Sequence, residues 1–150
     1  MIEFTEIEGK PDLKTLAEIE KFYVSIFEHV EPGKFAKRIS EAVNLLTILA
    51  LHQNKIVGFK IGYQSAPKEF YSWVGGVDEN YRNRGIAAEL MRKQHLWCRK
   101  NWFKLIRTKT RNKFKSMLIL NIKHGFDIID VYSDINNELK IVLEKHLDKI

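Results

Sequence analysis

Apolar residues recur along this chain with two alternating periods. "IEFTEIE" alternates every second residue and predicts a short first strand, after which Leu13, Leu16, Ile19, Tyr23 and Ile26 fall at helical spacing. Pro11 suits the first turn of that helix. The Pro-Gly pair in "HVEPGKF" predicts a loop before a second short helix over "FAKRISEAV". "LLTILAL" and "IVGFKIGY", separated by "HQNK", predict an antiparallel hairpin. "EFYSWVGGV" predicts another strand, with Gly75 and Gly76 marking a bulge or a close backbone approach.

From Gly85 the period becomes helical, with Ala87, Met91, Cys98 and Trp102 on one side. "FKLIRTKT" returns to strand and "NKFKSMLILNIKH" to helix, with Gly125 as its stop. "FDIIDVY" and "LKIVLEKHL" close the chain as two strands around a polar turn. The predicted order is β-α-α-β-β-β-α-β-α-β-β: an α/β fold in which a mixed, partly parallel sheet of six to seven strands carries helices on both faces. At 150 residues without internal repeat or low-complexity break, the chain reads as one domain over 1–150.

Composition narrows the class. A 45% hydrophobic share with 11% aromatics is that of a globular protein. No apolar run reaches the ~18 residues of a membrane span, and the N-terminal segment lacks the features of a signal peptide, so the expected setting is soluble and cytoplasmic. One cysteine, Cys98, excludes an internal disulfide and falls on the apolar side of its helix, where it reads as core. The histidines show no metal-ligand spacing, and no metal is expected. The +6 net charge is unevenly spread: residues 82–115 hold twelve Lys and Arg against one acid, Glu89. A polyanion or a phosphate-bearing cofactor would suit that third of the chain, although a solvated helix face accounts for Arg92, Lys93, Arg99 and Lys100.

"YRNRGIAAEL" stands where a strand gives way to a helix. Glycine and a small residue at a helix start let a ligand approach the backbone, and the free N–H groups there present positive charge. With Arg82 and Arg84 flanking it, the turn predicts an anion site, most naturally for phosphate. Tight packing of strand on helix is the plainer alternative.

Arg82-Asn83-Arg84-Gly85-Ile86-Ala87 resembles the [Q/R]-x-x-G-x-[G/A] signature of the GNAT superfamily, the acyl-CoA-dependent N-acetyltransferases. "VDENYRNRGIAAELM" resembles that family's run from its fourth strand into its main helix, "GFDII" its Gly-Phe helix-to-strand junction, and the order of elements its order over nearly the whole chain. The resemblance implies a transferase using acetyl-CoA as cosubstrate, with the pyrophosphate on backbone N–H groups of Arg82, Asn83, Arg84, Gly85, Ile86 and Ala87. It implies a pantetheine arm laid along Gly75, Gly76 and Val77 like an added strand, where a main-chain N–H could hold the developing oxyanion. It further implies an amine-bearing small molecule or protein as acceptor.

The sequence departs from that family twice. Many members carry a tyrosine acid four residues before the glycine of the Gly-Phe pair, and here that position is Asn121. Asn121 interrupts the stripe of Phe114, Met117, Leu118 and Gly125, so an amide expected to be buried must bond either a ligand or a nearby carbonyl. A family asparagine eleven residues before the same glycine is replaced by Phe114. Asn112 then either binds cofactor or, as we favour, caps the helix, and Lys115 is a candidate for the adenosine 3′-phosphate. For the base, Glu28, His29 and Glu31 border the expected acceptor pocket, and Glu69, Tyr71 and Trp73 lie on the fourth strand. Acids at that mouth would favour a cationic amine. Catalytic Asn121 and Glu31 are thus expectations of this reading.

Two other classes stay open. "RKNWFKLIRTKTRNKFK" interleaves bases and aromatics as a nucleic-acid surface would, although Trp102, Phe103 and Phe114 read more simply as core; nucleic acid and membrane are not expected partners. A GNAT-like domain that binds acyl-CoA without catalysis is the other. A homodimer paired through the C-terminal strand is also compatible.

Overall fold

The computed structural model describes residues 1–28 and 30–147. Seven strands form one sheet in the order β1-β2-β3-β4-β5-β7-β6. They are β1 (Glu3–Glu8), β2 (Val43–His52), β3 (Lys55–Ala66), β4 (Glu69–Val77), β5 (Leu105–Thr110), β6 (Asp127–Ser133) and β7 (Leu139–His146). Helices α1 (Leu13–Ile26) and α2 (Lys34–Glu41) precede β2, α3 (Ile86–Lys100) links β4 to β5, and α4 (Lys115–Lys123) links β5 to β6. This is the predicted order, with helices on both faces.

Side-chain alternation along the central strands feeds two cores. Leu46, Ile48 and Ala50 of β2 join Leu90, Met91 and Cys98 of α3, while Leu45 and Leu49 point the other way, to Ile19 of α1 with Phe35 and Ile39 of α2. Cys98 is fully buried, as expected, and burial pushes its thiol up.

The one parallel pairing among the described strands is β4 with β5, the pairing that requires a crossover helix, here α3. It runs from Glu69↔Leu105 to Ser72↔Thr108 and stops, with Thr108 Oγ1 donating to Ser72 O (2.9 Å) at the last pair. Beyond it the two strands part, and Trp73–Val77 of β4 has no strand partner on that side among the described residues. The register shift in β4 skips Trp73, between Ile61↔Val74 and Gly62↔Ser72, whereas Gly75 and Gly76 pair regularly with Lys60 and Phe59. The bulge is therefore at Trp73, and the two glycines have a different use.

Several local expectations are corrected. Pro11 lies outside α1, whose cap is Asp12, accepting from Thr15 N (2.7 Å). Helix α3 ends at Lys100, because Trp102 takes a left-handed φ of 67° and is 84% exposed; it is not core. Helix α4 begins only at Lys115, so Phe114 stands at its cap position, 38% exposed beneath Arg111 and Lys113. Strand β7 is interior and β6 is the edge, exposed at all seven residues, so the C-terminal strand is not the free edge a dimer would use.

Candidate active site

The gap between β4 and β5 has a defined chemistry on its β4 side. Asp78 N donates to Val57 O (2.8 Å), and pairing is regular from there to Lys60↔Gly75. Backbone groups of an antiparallel strand alternate in direction, so Gly76 faces β3 while Gly75 and Val77 turn their N–H and C=O groups into the gap. Val77 O is met there by Arg82 Nε (3.2 Å). A Cβ on Gly76 would come within 3.2 Å of Ile26, so a small residue is what lets α1 lie close over this strand.

At the end of β4 the chain makes one 3-10 turn (Glu79–Tyr81), held by Asp78, whose side chain accepts from Asn80 N (2.9 Å). Asn83 (φ 64°) and Gly85 (φ 78°) are both left-handed, the conformation that asparagine and glycine tolerate best. Arg84 donates to Asn80 O (3.3 Å) and stacks on the Tyr81 ring at 4.9 Å. Tyr81 is fixed in turn by His52 Nδ1 at 2.8 Å from its hydroxyl. Ile86, 4% exposed, anchors the helix start against Gly58. The first bond of α3 runs from Glu89 N to Gly85 O (3.1 Å), and no side chain caps the helix, so the N–H groups of Ile86, Ala87 and Ala88 remain free. The loop, the helix start and the open strand edge thus form one continuous strip.

Other candidates fall less well. Asn112 caps nothing; its carbonyl accepts from Lys115 Nζ (2.6 Å), which turns that lysine back on its own loop. Glu31 is exposed and 4.0 Å from Lys34, Glu28 is exposed, and His29 lies outside the described residues. Asn121 is 3% exposed, as its stripe demanded, yet its side chain has no hydrogen bond among the described residues. Its amide atoms are not fully sealed, so solvent still reaches them and a ligand could take the place of that water.

On the α1/α2 side, next to the last β4/β5 pair, a cavity of about 340 Å³ is lined by Arg38, Tyr63, Ser65, Glu69, Tyr71 and Lys109. Burial pushes the Tyr71 hydroxyl up to about 12, so it stays a neutral phenol. Glu69 is occupied, accepting from Ser65 (2.7 Å) and lying 3.7 Å from Arg107. Arg38 and Lys109 meet only aromatic faces, Trp73 at 4.8 Å and Tyr132 at 5.5 Å, with no carboxylate among the described residues. The charges of this cavity that lack an opposite partner are thus cationic, while Glu69, one of the acids expected near the pocket, is in the lining but already engaged. Arg38, Tyr63 and Lys109 were missed because three separate elements supply them. A larger cavity of about 580 Å³ lies beside Glu8, Trp97 and Trp102, at the far end of α3 from this strip.

The interior between the gap and α3 is unusually polar. His95, 3% exposed, receives Lys145 Nζ at Nδ1 (3.1 Å), which leaves the ring proton on Nε2, where no partner meets it. Burial, with the Lys145 charge beside it, pushes His95 down to about 2. The folded ring stays neutral while the unfolded one takes a proton below about pH 6.5. Stability from this residue is therefore complete above that pH and is lost as pH falls. Urea unfolding should show wild type about 1.4 kcal/mol less stable at pH 5.5 than at pH 7.5 through this group alone. His95→Gln should lack that component, and an identical pH dependence in the variant would contradict the assignment.

Among the described residues no three His, Cys, Asp or Glu side chains gather as a metal set, and no helix is long and apolar enough to cross a membrane. Comparison with known proteins agrees with the geometry. No curated protein matches the chain. An acetyltransferase of the GNAT family from Staphylococcus aureus shares its fold at TM-score 0.81 and 18% identity, over 97% of this chain and 100% of that one. The ribosomal-protein-S18-alanine N-acetyltransferase from Escherichia coli gives 0.78 and 15%, over 100% and 96%. A chain of the NatC complex bound to Gag peptide and CoA gives 0.79 and 16%, over 98% and 99%. The family model for the acetyltransferase (GNAT) family matches residues 13–113, two-thirds of the length and the whole of the strip from β4 into α3, and the chain belongs to that family.

Proposed function

We propose that this protein is an N-acetyltransferase that moves an acetyl group from acetyl-CoA directly to a primary amine. The observation that carries the reading is the parting of β4 from β5 after Ser72↔Thr108, with the free N–H groups of α3 at the end of the same strand. An extended, amide-bearing arm can add to Gly75 and Val77 as a strand would, while its diphosphate meets the loop from Arg82 to Ala87. The structural relative bound to CoA supports this choice of ligand.

The Gly75 N–H faces the gap, and in this reading it holds the carbonyl oxygen as it becomes an oxyanion. The acceptor enters from the α1/α2 side, through the cavity of Tyr63, Tyr71, Arg38 and Lys109. Two cations without carboxylate partners favour an amine that also carries an anionic group. Glu31 is our candidate to take the amine's proton at the solvated mouth; an unchanged rate-against-pH profile in Glu31→Gln would remove it. Cys98 is buried inside α3 and holds no covalent acetyl group in this scheme.

The test is a thermal melt with acetyl-CoA, with adenosine diphosphate as control. A ligand at a hundred times its Kd adds about 2.7 kcal/mol, roughly 5–10 °C for a chain of this size. No shift at saturating acetyl-CoA would sink the reading. A panel of amines, each with and without a carboxylate, would follow by thiol release, and equal rates within pairs would refute the anionic acceptor.

A further inference from the structure

Lysine 60 is the anomaly of the interior. It lies on β3 between Gly58 and Gly62, on the face covered by α3, and is 7% exposed. It makes no hydrogen bond or ion pair among the described residues. Its stem is covered while Nζ, not fully sealed, keeps a little contact with solvent; an ammonium so nearly desolvated without a counter-ion is costly, and stability alone would favour an apolar residue there. Its charged neighbours offer no relief: His95 comes from α3 and is neutral, Lys145 comes from β7 and is itself a cation, and Arg99 and His124 act on the same histidine.

The side chain is laid across β4. Lys60 pairs with Gly75, and its Nζ lies 3.6 Å from the point a Cβ on Gly75 would occupy. A Cβ at position 75 would meet the lysine at ordinary contact distance and crowd the Phe59 carbonyl oxygen at 3.1 Å, so the lysine lies directly over this glycine. The same Gly75 turns its N–H into the gap, so a backbone donor and a buried cation converge on one stretch of open strand.

We propose that Lys60 is a catalytic residue of the acetyl transfer, its ammonium holding and protonating the sulfur of CoA as the thioester breaks. The proposal rests on the acetyl-CoA reading given above. The amine nitrogen attacks the thioester carbon, a C–N bond forms, and the carbonyl electrons move onto oxygen beside the Gly75 N–H. Collapse breaks the C–S bond and leaves its electron pair on sulfur. The Lys60 proton passes to sulfur to give the free thiol, water returns a proton to the lysine, and the surplus proton of the amine goes to Glu31, the candidate base, and from it to water. Burial holds Lys60 at about 8, close to an ordinary thiol at about 8.5, so that transfer is nearly balanced in free energy. The protein thereby has an acid in a place that the asparagine at position 121 cannot fill.

The experiment needs no acceptor. Free CoA is bound to wild type, Lys60→Met and Lys60→Arg, and the ultraviolet absorbance of its thiolate is followed against pH. Cys98, the chain's one thiol, is buried and pushed up, so the signal in this window belongs to CoA. In wild type and Lys60→Arg the bound thiol should titrate about one pH unit below free CoA, a tenfold preference for the thiolate. In Lys60→Met it should titrate at or above the free value with CoA still bound, and Lys60→Gln reads the same loss should the methionine variant not fold. Equal titration in wild type and the neutral variants overturns the role of Lys60. Failure of wild type to bind CoA overturns the site itself, and this proposal with it.

Discussion

Gly85→Glu should bind acetyl-CoA at least a hundredfold more weakly than wild type while remaining folded. At φ 78° any side chain at this position is strained, by roughly 1–2 kcal/mol. The space around it is open, with nothing within 4 Å of an added Cβ, so the substitution brings no clash. What it adds is a carboxylate in front of the free N–H groups of Ile86 and Ala87, the groups proposed to hold a diphosphate. Gly85→Ala supplies the strain without the charge and should keep affinity within a few fold. Calorimetric titration of both, with circular dichroism to check folding, separates the effects. Undiminished affinity in folded Gly85→Glu would show that the loop binds no phosphate.

Gly62→Ala should destabilise the protein by about 3 kcal/mol, a fall in Tm of roughly 6–12 °C. An added Cβ would stand 2.3 Å from one atom of the Phe70 ring and 2.7 Å from the carbonyl oxygen of Tyr71. Neither can yield cheaply. Phe70 is fully buried, packed edge-on against Phe103 at 5.3 Å and beside Trp97 at 5.7 Å, and Tyr71 O is backbone. Strand β4 itself must move, and Gly62 pairs with Ser72, the residue at which β4 and β5 part. The variant should therefore also lose part of its thermal shift with acetyl-CoA. A urea-unfolding loss below about 1 kcal/mol would mean that β3 and β4 are not packed this closely.

Legibility in the sequence follows the range of the interaction. The strands and helices were readable because their apolar periods are local, and Gly85 because a left-handed turn before a helix demands it. Helix ends are less legible: Trp102 has an apolar side chain at a helical position, but the chain has already turned at φ 67° and carries it into solvent. Asn112 has a capping side chain, yet α4 starts three residues later, without a side-chain cap. The gap after Ser72, the cations lining the cavity beside Tyr71 and the burial of Lys60 depend on which strands meet, and a single chain read in order does not show that. One signal was present: in "GFKIG" a lysine stands between two glycines on the same face of a strand, where nothing else is large enough to fill the space.

The parting of β4 and β5 has a consequence for how the molecule comes undone. Four residue pairs join them, against eight between β3 and β4 and six between β5 and β7. The sheet is thus two antiparallel halves on a short seam, and transient local opening should begin at the seam's open end, near Trp73–Val77. Proteases cut chains in such openings, at a rate set by how often they occur. A ligand that bridges the two strands closes the opening by mass action, which would tie the lifetime of the protein in a cell to the supply of its proposed cosubstrate.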